Sequence, residues 1–138
     1  MTGARATPPL PPLAAPGQAG LVSIIAPCRN ERAHIDAFCD CALAQRLPDG
    51  WQMELLVADG ASDDGTHARL VERAAADARL RVLDNPGRIV STGLNACLAR
   101  ARGQVIVRMD IHTQFAPDYV AECIAALERS GADNVGGP

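Results

Sequence analysis

The chain has 138 residues, a formal net charge of −3 and 48% apolar side chains. That length allows one domain with a real core, and the charge excludes a global field for nucleic acid or anionic membranes. The five cysteines, at 28, 39, 41, 97 and 123, form no CxxC pair, and their odd number fits a reducing, cytoplasmic setting better than a disulfide framework. Cys97 and Cys123 read as small buried hydrophobes. With one Trp, one Tyr and two Phe, the core must be built from Val, Ile, Leu and Ala. No apolar run approaches the ~20 residues of a bilayer span, so no transmembrane segment is expected in this chain.

Residues 1–20, "MTGARATPPLPPLAAPGQAG", hold half of the 10 prolines and no continuous apolar block, so they read as a disordered or polyproline-like tail. After Gly20 the pattern becomes regular. "LVSIIA" (21–26) reads as a strand. A helix over 32–45 places Ile35, Phe38 and Ala42 on one face. "MELLVA" (53–58) is a second strand, and a helix over 66–78 follows with Ser62 or Asp63 as its cap. "LRVL" (80–83) is a short third strand. A helix over 90–101 turns Leu94, Leu98 and Ala101 inward, with Gly103 as its stop. "QVIVRM" (104–109) is the fourth strand. A helix over 117–131 carries the stripe Val120, Cys123, Ile124 and Leu127, from Pro117 in its first turn to Gly131 at its cap. Asn134–Val135 starts another strand.

Strand and helix alternating at this spacing imply βαβ units. The expected fold is α/β, a mostly parallel sheet covered on both faces. Ligands bind such sheets beyond the C-terminal strand ends, near a switch in strand order. Those ends read "PCRNE", "DGASDDG", "DNPGR" and "DIHT". They bring Asp59, Asp63, Asp64, Asp84 and Asp110 toward one edge. Convergent carboxylates there would want a cation or a hydrogen-bond-donating ligand, since two of them 4 Å apart repel by about 4 kcal/mol at an effective dielectric of 20.

Asp110 and His112 point the same way if the chain stays extended, and both are good donors for a divalent ion. The competing reading is a capping Asp beside an exposed His. Asp59 could accept hydrogen bonds from a ribose or base N–H. Pro27 fixes the chain's exit from the first strand, and Arg29 could stack on a base or contact phosphate. Glu31 reads as a cap for the next helix. Arg88 sits where it could reach a diphosphate, but on its own a solvated surface role is the better reading. His34 and His67 have no ligand-spaced partner, and Trp51 has packing as its default. No G-x-G-x-x-G, P-loop or G-x-S-x-G signature is present.

The ordered set "VSIIAPCRNE", "ELLVADGASDDGT", "NPGRIVSTGLN" and "ARGQVIVRMDIHT" resembles the N-terminal half of family 2 glycosyltransferases, over about Leu21 to Pro138. The closing "GADNVGGP" and the form "VRMDIHT" look most like bacterial transferases of succinoglycan and exopolysaccharide biosynthesis. The resemblance implies a GT-A fold, here truncated after the fourth or fifth strand, and metal-dependent inverting transfer from a nucleotide-diphosphate sugar. The expected donor is a UDP-sugar and the acceptor a glycan or lipid-linked sugar. It implies that Pro27, Arg29 and Glu31 line the nucleotide pocket, that Asp59 contacts the nucleoside and that Arg88 lies near the diphosphate. Asp110 would bind ribose and, with His112, a Mn²⁺ or Mg²⁺ ion. That motif is usually Asp-x-Asp, so the His112 variant makes the metal acid-sensitive. Many members carry a second acid where this chain has Gly60. The base that activates the acceptor is expected C-terminal to Pro138, which makes this chain a donor-binding fragment. The expected location is cytoplasmic, at the inner membrane face in the full-length protein. Two alternatives are a nucleotide-binding module without catalysis and a GT-A-like nucleotidyltransferase. The latter class usually carries a Gly-rich, Lys/Arg-bearing loop after the first strand, and "PCRNE" is not one.

Overall fold

The computed structural model describes residues 20–130. Most of the proline-rich N-terminal segment, Gly131 and the strand start at Asn134–Val135 lie outside them. Four strands, β1 (Leu21–Cys28), β2 (Gln52–Asp59), β3 (Leu80–Asp84) and β4 (Val105–Arg108), alternate with four helices. The helices are α1 (Ile35–Leu43), α2 (Thr66–Ala76), α3 (Val90–Arg100) and α4 (Tyr119–Ser130). The expected first helix is split, with a 3-10 turn at Arg32–His34 preceding α1.

All strand pairs are parallel, in the order β3-β2-β1-β4. The chain grows outward from β1 through β2 to β3, then returns to place β4 on the other side of β1. The switch in strand order therefore falls between β1 and β4, where a crevice opens at the C-terminal ends.

Alternation along the strands sorts side chains onto two faces. Val22, Ile24 and Ala26 of β1 and Leu55 and Val57 of β2 join Ile35, Phe38, Leu70, Val120 and Ile124 in the main core, beneath α1, α2 and α4. Burying each such Leu or Ile contributes about 1.5–3 kcal/mol. Phe38, Trp51, Met53 and Met109 add larger groups than the expected Val, Ile, Leu and Ala. The α4 stripe is as read, with Val120 and Ile124 fully buried and Cys123 and Leu127 packed against the core.

The second face is thinner. Ile25, Leu56, Ala58 and Cys97 form a small cluster under α3, flanked by Leu83, Leu94 and Ala96. Coverage stops short of β4, whose Ile106 is 39% exposed, so only part of this face meets the expectation of a two-sided cover. The inward stripe of α3 also differs from the one read in the sequence. Gly93 and Cys97 face the sheet, while Leu98 is 50% exposed. A Cβ at Gly93 would meet Pro27 Cβ at 2.9 Å and Asn85 Nδ2 at 3.0 Å. The helix lies so close to the sheet that its smallest residues must turn inward.

A second correction concerns Gly103. The helix ends on an extended Ala101 (φ −68°, ψ 136°), so Gly103 is not its left-handed cap. A Cβ there would stand 2.6 Å from the backbone nitrogen of Ser23, so glycine permits the close approach of the segment entering β4 to β1.

Candidate functional site

A cavity of about 220 Å³ opens at the switch point, lined from β1 by Pro27, Cys28, Arg29 and Glu31 and from the β4 side by Arg108, Asp110, Ile111 and His112. Asn85, Arg88, Ile89 and Val90 close it from the β3–α3 connection. Parallel register explains this convergence. Ile25 pairs with Arg108, so the two strands deliver their next residues side by side. The Met109 N–H donates to the Ile25 carbonyl at 3.0 Å and extends that pairing to the edge of the site.

Six of the seven residues named from the sequence line the cavity, and Asp59 does not. Its carboxylate is 4% exposed and faces α2. It accepts from the Ser62 hydroxyl at 2.5 Å and the Cys28 thiol at 3.8 Å, and its other oxygen stands 3.4 Å from His67 Nδ1. Asp59 thus organises the β2–α2 loop, and His67 has a partner that its sequence context did not reveal.

The same loop corrects the helix-cap expectation. Gly65, at φ +94°, occupies the cap of α2, and the carboxylate of Asp64 accepts from the Thr66 N–H at 3.0 Å. Ser62 instead accepts from the Asn30 N–H at 2.7 Å, and the Asp63 N–H donates to Asn30 Oδ1 at 2.9 Å. Of the carboxylates at this edge, Asp59, Asp64 and Asp110 each find a partner within the protein. Among the described residues, no three His, Cys, Asp or Glu side chains group into a metal cage.

Glu31 does not cap the following turn through its side chain. Its Oε2 lies 3.2 Å from Nδ1 of His112. Arg108 was read only as part of an apolar strand. Its Nε donates to Asp110 Oδ1 at 2.9 Å. Arg29 donates to the Gly60 carbonyl. Arg88 is exposed, its backbone held left-handed at φ +68°. Its backbone also explains Gly60. A Cβ there would stand 3.1 Å from the Arg88 carbonyl oxygen and 3.2 Å from both Arg88 Cα and the Cys28 oxygen. A side chain at this position would press on the Arg88 and Cys28 backbones, which would have to give by a few tenths of an ångström.

Cys28 lies in the cavity wall, yet burial and the neighbouring Asp59 carboxylate push its thiol far up, so it is no nucleophile. The donor chemistry fits a divalent ion that brings most of its own shell. Asp110 and His112 supply one carboxylate and one imidazole at an open mouth, their side chains 38% and 63% exposed. Two donors fit an ion whose remaining ligands come from outside the protein and do not fit a resident metal. All five cysteines are free thiols.

A four-stranded parallel sheet flanked by helices, with an arginine-bearing cavity at its switch point, defines an α/β domain of the GT-A type. The chain belongs to glycosyl transferase family 2, whose model matches residues 23–138. It is 33% identical over 114 residues to the succinoglycan biosynthesis protein ExoA of Rhizobium meliloti (strain 1021), covering 81% of this chain and 34% of that protein. It is 28% identical to the chondroitin synthase of Pasteurella multocida (strain Pm70), over 75% of this chain and 10% of that protein. The mannosyltransferase PcManGT from Pyrobaculum calidifontis, solved in complex with GDP-Man and Mn²⁺, superposes with TM-score 0.72 and 27% identity over 87% of this chain and 36% of that one. S. aureus TarS 1-349 in complex with UDP-GlcNAc shares the fold, with TM-score 0.63 at 19% identity over 85% of this chain and 36% of that one. The chain thus spans about a third of the length of ExoA and of PcManGT.

Proposed function

We propose that the chain is the donor-binding part of a glycosyltransferase that moves a sugar from a UDP-sugar to a glycan or lipid-linked acceptor in polysaccharide biosynthesis. One observation carries this reading. Three guanidinium-bearing residues, Arg29, Arg88 and Arg108, and the pair Asp110 and His112 line one cavity at the switch point. Cations suited to phosphate oxygens thus sit beside oxygen and nitrogen donors suited to a divalent ion. At about 220 Å³ the cavity is smaller than the ~300–1,000 Å³ of a full ligand pocket, so it encloses only part of a nucleotide sugar.

In this reading Asp110 and His112 would hold a Mn²⁺ or Mg²⁺ ion beside the donor. When bound, that ion supplies Lewis-acid neutralisation of the charge developing on the departing nucleoside diphosphate. Arg88 adds positive charge at the diphosphate, and Arg29 and Pro27 border the nucleoside. Asp59 acts on the nucleoside indirectly, by fixing the loop that holds Asn30. A carboxylate outside the donor site would deprotonate the acceptor hydroxyl as it attacks the anomeric carbon with inversion. No helix among the described residues is long and apolar enough to cross a membrane. The reaction is assigned to the cytoplasmic side, at the inner membrane face in the full-length protein.

Transfer of labelled sugar tests this. The chain is incubated with Mn²⁺, a UDP-sugar or a GDP-sugar, and glycan or lipid-linked acceptors, alone and within its longer natural protein. Labelled product from UDP-sugar in the longer protein is expected. Nucleotide binding with no transfer by either form would favour a non-catalytic module.

A further inference from the structure

Glu31 is the one carboxylate in the cavity wall joined to an imidazole, and its backbone is unusually well held. The Asn30 N–H donates to the Ser62 hydroxyl at 2.7 Å, the Glu31 N–H to Thr66 Oγ1 at 3.0 Å, and the Arg32 N–H to Asp64 Oδ2 at 3.2 Å. Three consecutive amides are thus held by side chains of the β2–α2 loop and of Thr66, the first residue of α2. Asn30 adds a fourth tie by accepting the Asp63 N–H. The result is a rigid shelf beside the mouth of the cavity.

His112 is the opposite case. It lies beyond β4 in a turn closed by the Thr113 N–H on the Asp110 carbonyl at 3.2 Å, and its side chain is 63% exposed. Its one polar side-chain contact among the described residues is Glu31 Oε2, at 3.2 Å from Nδ1. The Glu31 side chain is only 22% exposed. An ionised carboxylate can only accept, so this contact requires the proton on Nδ1. The lone pair then resides on Nε2, the nitrogen left for a ligand.

We infer that Glu31 is a positioning residue for His112: it fixes the Nδ1–H tautomer and the ring so that Nε2 is offered to the cation. The inference rests on the metal role proposed for Asp110 and His112, and it changes the part played by Glu31. The carboxylate orients a ligand and does not itself contact the nucleotide. Without it, an exposed imidazole on a short turn samples both tautomers and several rotamers. Removing the outer partner of a ligating histidine costs about 10–100-fold in metal affinity. With so exposed a ring, the lower end of that range applies.

The test has two arms, read on Glu31→Ala and Glu31→Gln. The first is two-bond ¹H–¹⁵N correlation of the His112 ring in the metal-free chain, in mildly alkaline buffer. The second is Mn²⁺ binding in the presence of UDP, followed by electron paramagnetic resonance of the free ion. The intact chain should show the Nδ1–H tautomer. Alanine should abolish that preference and weaken Mn²⁺ about tenfold, while glutamine, whose carbonyl can still accept, should retain most of both. An unchanged tautomer in Glu31→Ala overturns the inference. So does a changed tautomer with unchanged Mn²⁺ affinity. Asp110→Ala separates the two levels. Loss of Mn²⁺ there, with none in Glu31→Ala, leaves the metal site standing and removes Glu31 from it. Full Mn²⁺ binding by Asp110→Ala would remove the metal site and this inference together.

Discussion

Replacing Glu54 with Gln should destabilise the fold by about 2 kcal/mol, in a way that depends on acid. Glu54 is 3% exposed on β2. Its carboxylate accepts from Ser23 Oγ at 2.6 Å, the Arg102 N–H at 2.7 Å, Arg81 Nη1 at 3.0 Å and Arg102 Nε at 3.4 Å. Each buried charge-assisted bond contributes about 1.5–3 kcal/mol, but the two guanidinium groups are about a third exposed and count for less than about 1 kcal/mol each. Glutamine keeps the shape and one acceptor, and its amide then faces either the two arginines or the hydroxyl and amide. At ~3 °C per kcal/mol for a domain of this size, Tm should fall by about 6 °C.

The pH dependence has a definite sign. Burial pushes the Glu54 carboxyl up, but the Ser23 hydroxyl, the Arg102 amide and Arg81 outweigh it and hold it below its ordinary 4.5. A depressed carboxylate stabilises fully above the unfolded value and loses that stabilisation as pH falls through the folded one. Thermal unfolding of both proteins should therefore show a constant Tm gap from neutral pH down to about 5, closing in stronger acid. No gap at neutral pH, or one unchanged in acid, refutes the reasoning. The network matters for the site because it anchors the segment before β4. Gly103 donates to Ser23 Oγ and Gln104 to the Leu21 carbonyl. That pairing sets the register that brings Asp110 and His112 beside β1.

Other outcomes follow from packing at the cavity. Gly60→Asp should lower stability by about 1–3 kcal/mol and weaken UDP binding, because its Cβ crowds the Arg88 backbone; equal calorimetric affinity and equal Tm would contradict this. Arg88→Ala should weaken UDP binding severalfold while leaving Tm within about 1 °C, as expected of an exposed side chain. Cys39 is pushed up to about 11, chiefly by burial, and Cys28 further still. Mass spectrometry after iodoacetamide treatment at mildly alkaline pH should find both unmodified in the folded chain and alkylated in urea.

The sheet was legible because its strands are short apolar runs and its helices carry a 3.6-residue stripe. Polar residues after each strand end marked the site edge, and six of the seven named positions line the cavity. What escaped the sequence was set by distance in space. Leu98 looked inward on size, but the close seat of α3 on Pro27 selects Gly93 and Cys97. Arg108 was absorbed into an apolar strand, although residues two apart share a face and it stands two before Asp110. The Glu54 network links residues far apart in the chain, and no local pattern announces it. Asp59 follows a buried strand, and nothing local shows which side of the sheet edge it serves. Register sends it to the α2 side, where Ser62 and His67 meet it.

Calorimetric titration of UDP into the chain, with and without Mn²⁺, tests the central assignment most directly, with Asp110→Ala/His112→Ala as the comparison and GDP as the control nucleotide. The account predicts heat that depends on Mn²⁺ in the intact chain, favours UDP, and falls at least about tenfold in apparent affinity in the double variant. Equal Mn²⁺-dependent heats for the two proteins would contradict it.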